Sequence, residues 1–283
     1  LKFEKWQALG NDYIVVEDGA AAFELTSARI ERICRYHFGA GADGILLIQK
    51  SDDPGVVAHV KIFNPDGSEA ELSGNGIREA IMYLRRSGQA TADEFTVTTM
   101  AGPIRPKIVS ETECAVDMGA ASTESKDFPG GPAGGRGTIA LGGQELEFQH
   151  VSIGNPQCAI EISGALNELE SLDLPRIGPS IENDARFPNR TNVSFWQKSG
   201  EQSIVARIFE RGVGETLSSG TGATGAAVAA HLRGMHSPIR VELDGGELLV
   251  AIDENLNITL TGWAKPVFSG TLTDEFIEEL EQL

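Results

Sequence analysis

Two serines on glycine-rich turns, Ser73 and Ser219, stand 146 residues apart inside the same short pattern. The first copy reads Ile62-Phe63-Asn64, eight residues, then Ser73-Gly74-Asn75-Gly76. The second reads Ile208-Phe209-Glu210, eight residues, then Ser219-Gly220-Thr221-Gly222. Glu69 matches Glu215 and Ala80 matches Ala226 at that offset, and Leu9-Gly10-Asn11 mirrors Ile153-Gly154-Asn155 at an offset two residues shorter. A repeat this long indicates two similar half-molecules, since a solenoid would repeat every 20–50 residues or so. Matching turns predict matching chemical groups that confront each other over one bound carbon. That suits a reaction worked from both faces of an atom.

A helix start preceded by glycines offers backbone N–H groups and the positive end of the helix dipole, which together hold an anion. A side chain at the first position of such a turn is placed where an ionised form is favoured; a thiol there becomes a usable acid or base. Serine occupies that position twice, and serine is also the commonest helix N-cap, so capping alone would account for either residue. Capping does not call for Asn64 and Glu210 at the same offset. Gly-x-Gly by itself is a weak signal, and without a following Walker lysine it does not indicate phosphate. Glu210-Arg211 is either an exposed ion pair of little energetic weight or a clamp for the ammonium and carboxylate of an amino acid. Asn11, Asn155 and Asn192 are each explained as turn residues. Taken together with the two turns, they predict a polar, largely uncharged lining suited to a zwitterion.

These residues need elements to carry them. Asp12 to Val16 reads as a strand, Ala28 to Tyr36 as a helix capped by Ser27 and stopped at Gly39 and Gly41. Residues 45–48, 56–63, 95–99, 104–109 and 114–118 read as strands. Asn64-Pro65-Asp66-Gly67 has the composition of a turn. Ile77, Ala80, Ile81 and Leu84 have helical spacing, so a helix starts at the first glycine turn. The Gly-, Pro- and Ser-rich stretch 119–138 reads as a mobile connection or domain junction. Strands resume over 145–153, 158–162, 192–196 and 204–209, followed by an alanine-rich helix over 223–233. A hairpin over 239–252, a strand near Ile258 and a helix from Asp274 to the end complete the pattern. The alanine-rich helix is apolar nearly all round, which predicts burial inside a curled sheet.

At 283 residues the chain suggests two domains. With 41% hydrophobic and 23% charged residues it is ordinary for a soluble globular enzyme. A net charge of -18 argues against nucleic acid or an anionic membrane as partner, and reads most simply as a solvated acidic surface. No run approaches the roughly 18 apolar residues of a membrane span, and Leu1 to Gly10 lacks the layout of a signal peptide. Cys34, Cys114 and Cys158 fit no metal-site or disulfide spacing and predict reduced thiols in a cytoplasmic protein.

At these residues the chain resembles the diaminopimelate epimerase family, nearly end to end. The resemblance is carried by Leu9-Gly10-Asn11-Asp12, HFGAGADGILLI at 37–48, FNPDGSEAELSGNGIR at 63–78, VSIGNPQC at 151–158, RTNVSF at 190–195, ERGVGETLSSGTGA at 210–223 and GWAKPVFSGTL at 262–272. It implies an α/β fold of the α+β type: two pseudo-symmetric domains, residues 1–118 with 264–283 and residues 119–263, each a curled, mostly antiparallel sheet around a central helix. It implies an epimerase working without pyridoxal phosphate, metal or other cofactor on a small-molecule amino acid, with no nucleic acid or membrane partner and a homodimer as a possible assembly. By motif, Ser73 and Ser219 take the acid/base positions. Asn11, Asn64, Gly74, Asn75, Asn155, Asn192, Glu210, Arg211, Gly220 and Thr221 take the substrate-binding ones.

Both acid/base positions carry cysteine in the family, and the family's GNPH segment reads Gly154-Asn155-Pro156-Gln157 here. A free thiol titrates near 8.5, whereas a hydroxyl resembles water, near 15.7. That gap of about 7 units is roughly 10 kcal/mol, and a helix dipole supplies about 0.3–1 kcal/mol, rarely about 2. Three readings follow. The serines silence a normal enzyme, although the change at Gln157 would be superfluous for that. The chain keeps epimerase-type proton chemistry with Glu210, Glu69 or Glu215 assisting. Or it binds an amino acid without inverting it, or acts on a more acidic proton. Cys158 is either a replacement thiol or part of the core.

Overall fold

The computed structural model describes residues 1–20, 23–141, 143–163 and 166–283, with the backbone alone at 166 and 167. The chain divides into two compact units, Leu1–Val116 with Gly262–Leu283, and Asp117–Thr261.

The first unit begins with strands β1 (Lys2–Ala8) and β2 (Asn11–Glu17), helix α1 (Ser27–Cys34), and strands β3 (Ile45–Lys50), β4 (Ala58–Phe63) and β5 (Glu69–Ala70). Helix α2 (Gly74–Arg86) follows, then β6 (Val97–Thr99), β7 (Gly102–Ile104), β8 (Lys107–Ile108) and β9 (Glu113–Ala120), which runs on into the second unit at Asp117. The second unit continues with β10 (Arg136–Leu141), β11 (Gln144–Ser152), β12 (Pro156–Glu161), the short helices α3 (Leu166–Glu170) and α4 (Leu174–Glu182), β13 (Asn192–Lys198), β14 (Ser203–Glu210) and β15 (Gly214–Thr216). Helix α5 (Gly220–Leu232) and strands β16 (Ile239–Leu243), β17 (Gly246–Ile252) and β18 (Asn257–Trp263) come next. The chain returns to the first unit with β19 (Lys265–Thr271) and α6 (Asp274–Glu281).

The two sheets repeat one plan. The first has the order β19-β1-β2-β3-β4-β6-β7 with β5 on β4, and the second β10-β11-β12-β13-β14-β16-β17-β18-β9-β8 with β15 on β14. From β1 to β7 the pairings alternate antiparallel, parallel, antiparallel, parallel, antiparallel. From β11 to β17 the same alternation recurs. The register repeats as well: Ile62 lies opposite Ala70 and Ile208 opposite Thr216.

Helix α5 packs against β11, β12, β13, β14, β16 and β17. Strands are about 4.8 Å apart and a helix is about 10 Å across, so a flat sheet would bring only two or three strands within reach. Contact with six requires a sheet curled round the helix. Ala223, Ala226, Ala227, Ala229 and Ala230 are all buried and small enough to let the strands approach. Helix α2 stands likewise against β1, β2, β3, β4 and β19 of the first sheet.

Some elements differ from the sequence reading. Thr26, not Ser27, caps α1, its hydroxyl accepting from the Arg29 N–H. The span 104–109 breaks into β7 and β8 at Arg105-Pro106, where proline has no N–H to give a ladder. Helix α5 starts at Gly220, three residues earlier than the apolar run suggests. The stretch 119–138 follows directly on the junction between the units at Val116/Asp117, but it is not a loose connection. Ser122 bridges Ser152, and Phe128 is buried, stacked on Phe187 and edge-on to Phe148.

Candidate active site

Each unit carries its signature turn on the same scaffold: a strand, a tight turn, a short returning strand, then a serine that opens a buried helix. In the second unit β14 ends at Glu210, and the Val213 N–H closes the turn onto the Glu210 carbonyl (3.1 Å) with Gly212 at φ +77°. In the first, the Gly67 N–H closes onto the Asn64 carbonyl (2.9 Å). Gly67 has φ +78°, and a Cβ there would fall 2.3 Å from Ser27 Cα, so glycine is required. The upstream repeat is visible too: Gly10 and Gly154 both take positive φ, +83° and +81°, just before β2 and β12.

Both serines are N-caps. Ser73 Oγ accepts the Gly76 N–H at 3.1 Å and Ser219 Oγ accepts the Gly222 N–H at 3.2 Å. Each has a second partner, and the partners differ. The Ser219 hydroxyl donates to Glu210 Oε2 at 2.8 Å, while the Thr216 hydroxyl donates to Glu210 Oε1 at 2.8 Å. Burial raises the Glu210 carboxyl above its ordinary range, and the two hydroxyl donors partly offset that by favouring the anion. At Ser73 the second partner is Tyr13, whose phenol donates to Oγ at 3.2 Å.

The predicted ligand residues of the second unit form one linked set. Asn155 Nδ2 donates to Thr221 Oγ1 at 3.3 Å, and Gln157 Nε2 donates to Asn155 Oδ1 at 2.7 Å. Gln157 lies opposite Asn192 in the parallel β12–β13 ladder. The Asn192 amide joins Pro156 C=O (3.0 Å) to the Arg211 N–H (2.9 Å). Arg211 directs its guanidinium to the Asn189 carbonyl at 2.9 Å. Gly220 is the first residue of α5.

In the first unit the predicted residues are more dispersed. Gly74 and Asn75 open α2, and the buried Arg78 reaches back to Gly74 C=O (2.8 Å) and Asn75 Oδ1. Asn11 donates to Asp43 Oδ2 at 2.8 Å. Asn64 donates to Ser68 Oγ at 2.9 Å within its own turn.

Of the three glutamates considered as helpers, Glu210 alone is hydrogen-bonded to a serine among the described contacts. Glu215 pairs with Arg207, and Glu69 is exposed. Cys158 is fully buried in a cluster with Phe148, Phe195 and Ile160, and burial pushes its thiol pKa up; it belongs to the core. Burial pushes Cys34 and Cys114 up to about 12. Sequence reasoning missed Tyr13, Thr216 and Asp43. Tyr13 carried one usable signal, its place two residues beyond Asn11, which makes Gln157 its counterpart in the repeat.

Residues 3–124 and 149–267 match the family model described as diaminopimelate epimerase. The chain belongs to the diaminopimelate epimerase family. The diaminopimelate epimerase of Synechococcus sp. (strain JA-3-3Ab) is 38% identical, with 97% of this chain and 99% of the relative covered. That of Cupriavidus taiwanensis is 37% identical, covering 96% and 97%. Among solved structures, a probable proline racemase from Agrobacterium radiobacter K84 superposes with a TM-score of 0.67 at 15% identity, covering 96% of this chain and 93% of that one. A hydroxyproline epimerase from Agrobacterium vitis, with bound trans-4-hydroxy-L-proline, gives 0.64 at 15%, covering 96% and 90%. These two share the fold of the diaminopimelate epimerase family. No helix among the described residues is long and apolar enough to cross a membrane.

Proposed function

We propose that this protein is a cofactor-independent amino-acid epimerase that interconverts LL- and meso-diaminopimelate by proton transfer at the α-carbon, one acid/base group coming from each half. The observation that carries this reading is the Ser219–Glu210 hydrogen bond at the head of α5, in a chain that matches the family over most of its length. A hydroxyl alone is too weak an acid and base for the α-proton, as the gap of about 7 units makes plain. A carboxylate behind it changes the chemistry. Ser219 passes the proton it receives to Glu210, and a carboxyl raised by burial sits closer to the working pH, where a general base is most effective.

Ser73 is the acid/base group of the other half. Asn155, Asn192, Arg211, Gly220 and Thr221 from one half, and Asn11, Asn64, Gly74 and Asn75 from the other, hold the substrate. The helix starts suit its carboxylate, since the first N–H groups of a helix have no partner within it. Assembly as a homodimer and a cytoplasmic setting belong to the same reading; the three buried, unpaired cysteines are in keeping with the latter.

Solvent-deuterium incorporation at the α-carbon tests it. LL- and meso-diaminopimelate incubated in D2O should each gain deuterium as they interconvert. Tight binding of either compound with no incorporation would replace the epimerase with an amino-acid-binding protein on the same scaffold.

A further inference from the structure

The two serines occupy the same place in the repeat, yet their hydrogen bonds leave opposite capacities unspent. A serine hydroxyl has one proton to donate and two lone pairs with which to accept. Ser219 donates to Glu210 and accepts from the Gly222 N–H, so a lone pair remains. Ser73 accepts from both the Gly76 N–H and the Tyr13 phenol, so its proton has no acceptor among the described residues. The first arrangement is an acceptor backed by a carboxylate. The second is a donor backed by a phenol.

We infer that Tyr13 is the positioning residue that makes Ser73 the proton donor, so that the resting protein takes a proton at Ser219–Glu210 and delivers one at Ser73–Tyr13. This rests on the epimerase reading above and adds a direction to it. In the delivery step the Ser73 O–H bond breaks as the new Cα–H bond forms, and the Tyr13 proton moves to Ser73 Oγ, leaving a phenolate. On the other half, Ser219 Oγ takes the departing α-proton and passes its own to Glu210 Oε2. One proton has left Tyr13 and one has reached Glu210; exchange of each with water restores the starting state. A phenol ordinarily titrates near 10, far below a simple hydroxyl, so the charge left behind rests on a much weaker base.

The ring is held for this task. Tyr13 is buried, and a Cβ on Gly44 would lie 2.6 Å from its Cε1 and one on Gly76 3.2 Å from its Cε2. Its counterpart in the other half, Gln157, is also buried, but its amide N–H is far too weakly acidic to relay a proton, and Gln157 Oε1 has no hydrogen-bond partner among the described residues. The relay therefore exists on one side.

Tyr13→Phe keeps the ring and removes the proton. With each epimer followed separately in D2O, inversion should fall at least about 100-fold. Exchange with retention should persist for the one epimer that presents its proton to Ser219. Adding Ser73→Cys should restore inversion to Tyr13→Phe, because a thiol near 8.5 donates without a relay. The inference is overturned if Tyr13→Phe inverts at the wild-type rate, if inversion and exchange vanish together in a variant with wild-type thermal unfolding, or if the thiol fails to rescue. A wild-type protein that exchanges neither epimer overturns the epimerase reading itself, and this inference with it.

Discussion

Burial and hydrogen bonding pull the Glu210 carboxyl in opposite directions, and burial prevails. A base must be ionised to act, so exchange activity should decline on the acid side at a pH above that of an exposed glutamate, about 4.3. Glu210→Gln retains an acceptor for one hydroxyl and cannot take a proton. It should lower exchange at least about 100-fold and abolish the acid limb from whatever activity remains. A limb that survives in Glu210→Gln would assign the base elsewhere. The same group acts on stability with its own sign. Its folded pKa lies above the unfolded one, so its contribution is fully present below the ordinary carboxylate range and is lost as pH rises through the raised value. Activity and the Glu210 part of stability thus move oppositely with pH. That separates a titrating base from acid unfolding. At this scale the matching positions of Ser73 and Ser219 at two helix starts, and of Glu210 at the end of β14, were legible because the repeat marks them. Tyr13 was not, because a tyrosine between Asp12 and Ile14 reads simply as a good strand former.

Helix α5 shows what an element must do for the site. Gly225 faces Gln157 so closely that a Cβ would sit 2.8 Å from Gln157 Cβ and 2.9 Å from Cγ. Alanine is the better helix former by about 0.8–1 kcal/mol, but overpacking a closed core costs about 1–3 kcal/mol. Gly225→Ala should therefore destabilise the protein. Because Gln157 holds Asn155, and Asn155 holds Thr221, both proposed substrate contacts, it should also weaken substrate binding more than an equal loss of stability elsewhere would. Equilibrium denaturation with a parallel KM measurement checks both; a more stable variant with unchanged KM would show that the contact yields freely. The strands flanking the site could be read because Val, Ile, Phe and Trp cluster in them, as in Asn192–Lys198 and Ser203–Glu210. Helix α4 escaped reading because Pro175, Gly178 and Pro179 all argue against a helix. Asp173 nevertheless caps it, and Pro175 sits in the first turn, where no N–H is needed. Strands β5 and β15 are too short to show any period.

At the scale of the molecule, the first unit is assembled from both ends of the chain. Strand β19 pairs antiparallel with β1, and the fully buried Leu280 of α6 joins a core with Phe3, Ile30 and Ile33. Arg29 fastens the same helix through its Nε–H to the Leu280 carbonyl at 2.8 Å, and Arg32 pairs with Glu279. The core cluster of the second unit that holds Phe148, Phe195, Leu174 and Cys158 is drawn from residues 128–209. Leu280→Ala leaves a cavity that costs about 2–5 kcal/mol. Its effect should follow the chain's division rather than its sequence order. Amides of β1, β2 and α1, some 250 residues away in sequence, should lose hydrogen-exchange protection, while those of β11–β14 keep theirs. Equal loss of protection in both sets would mean that the protein opens as one cooperative body. Unchanged protection in β1 would mean that the last helix contributes little to the half that carries Ser73 and Tyr13.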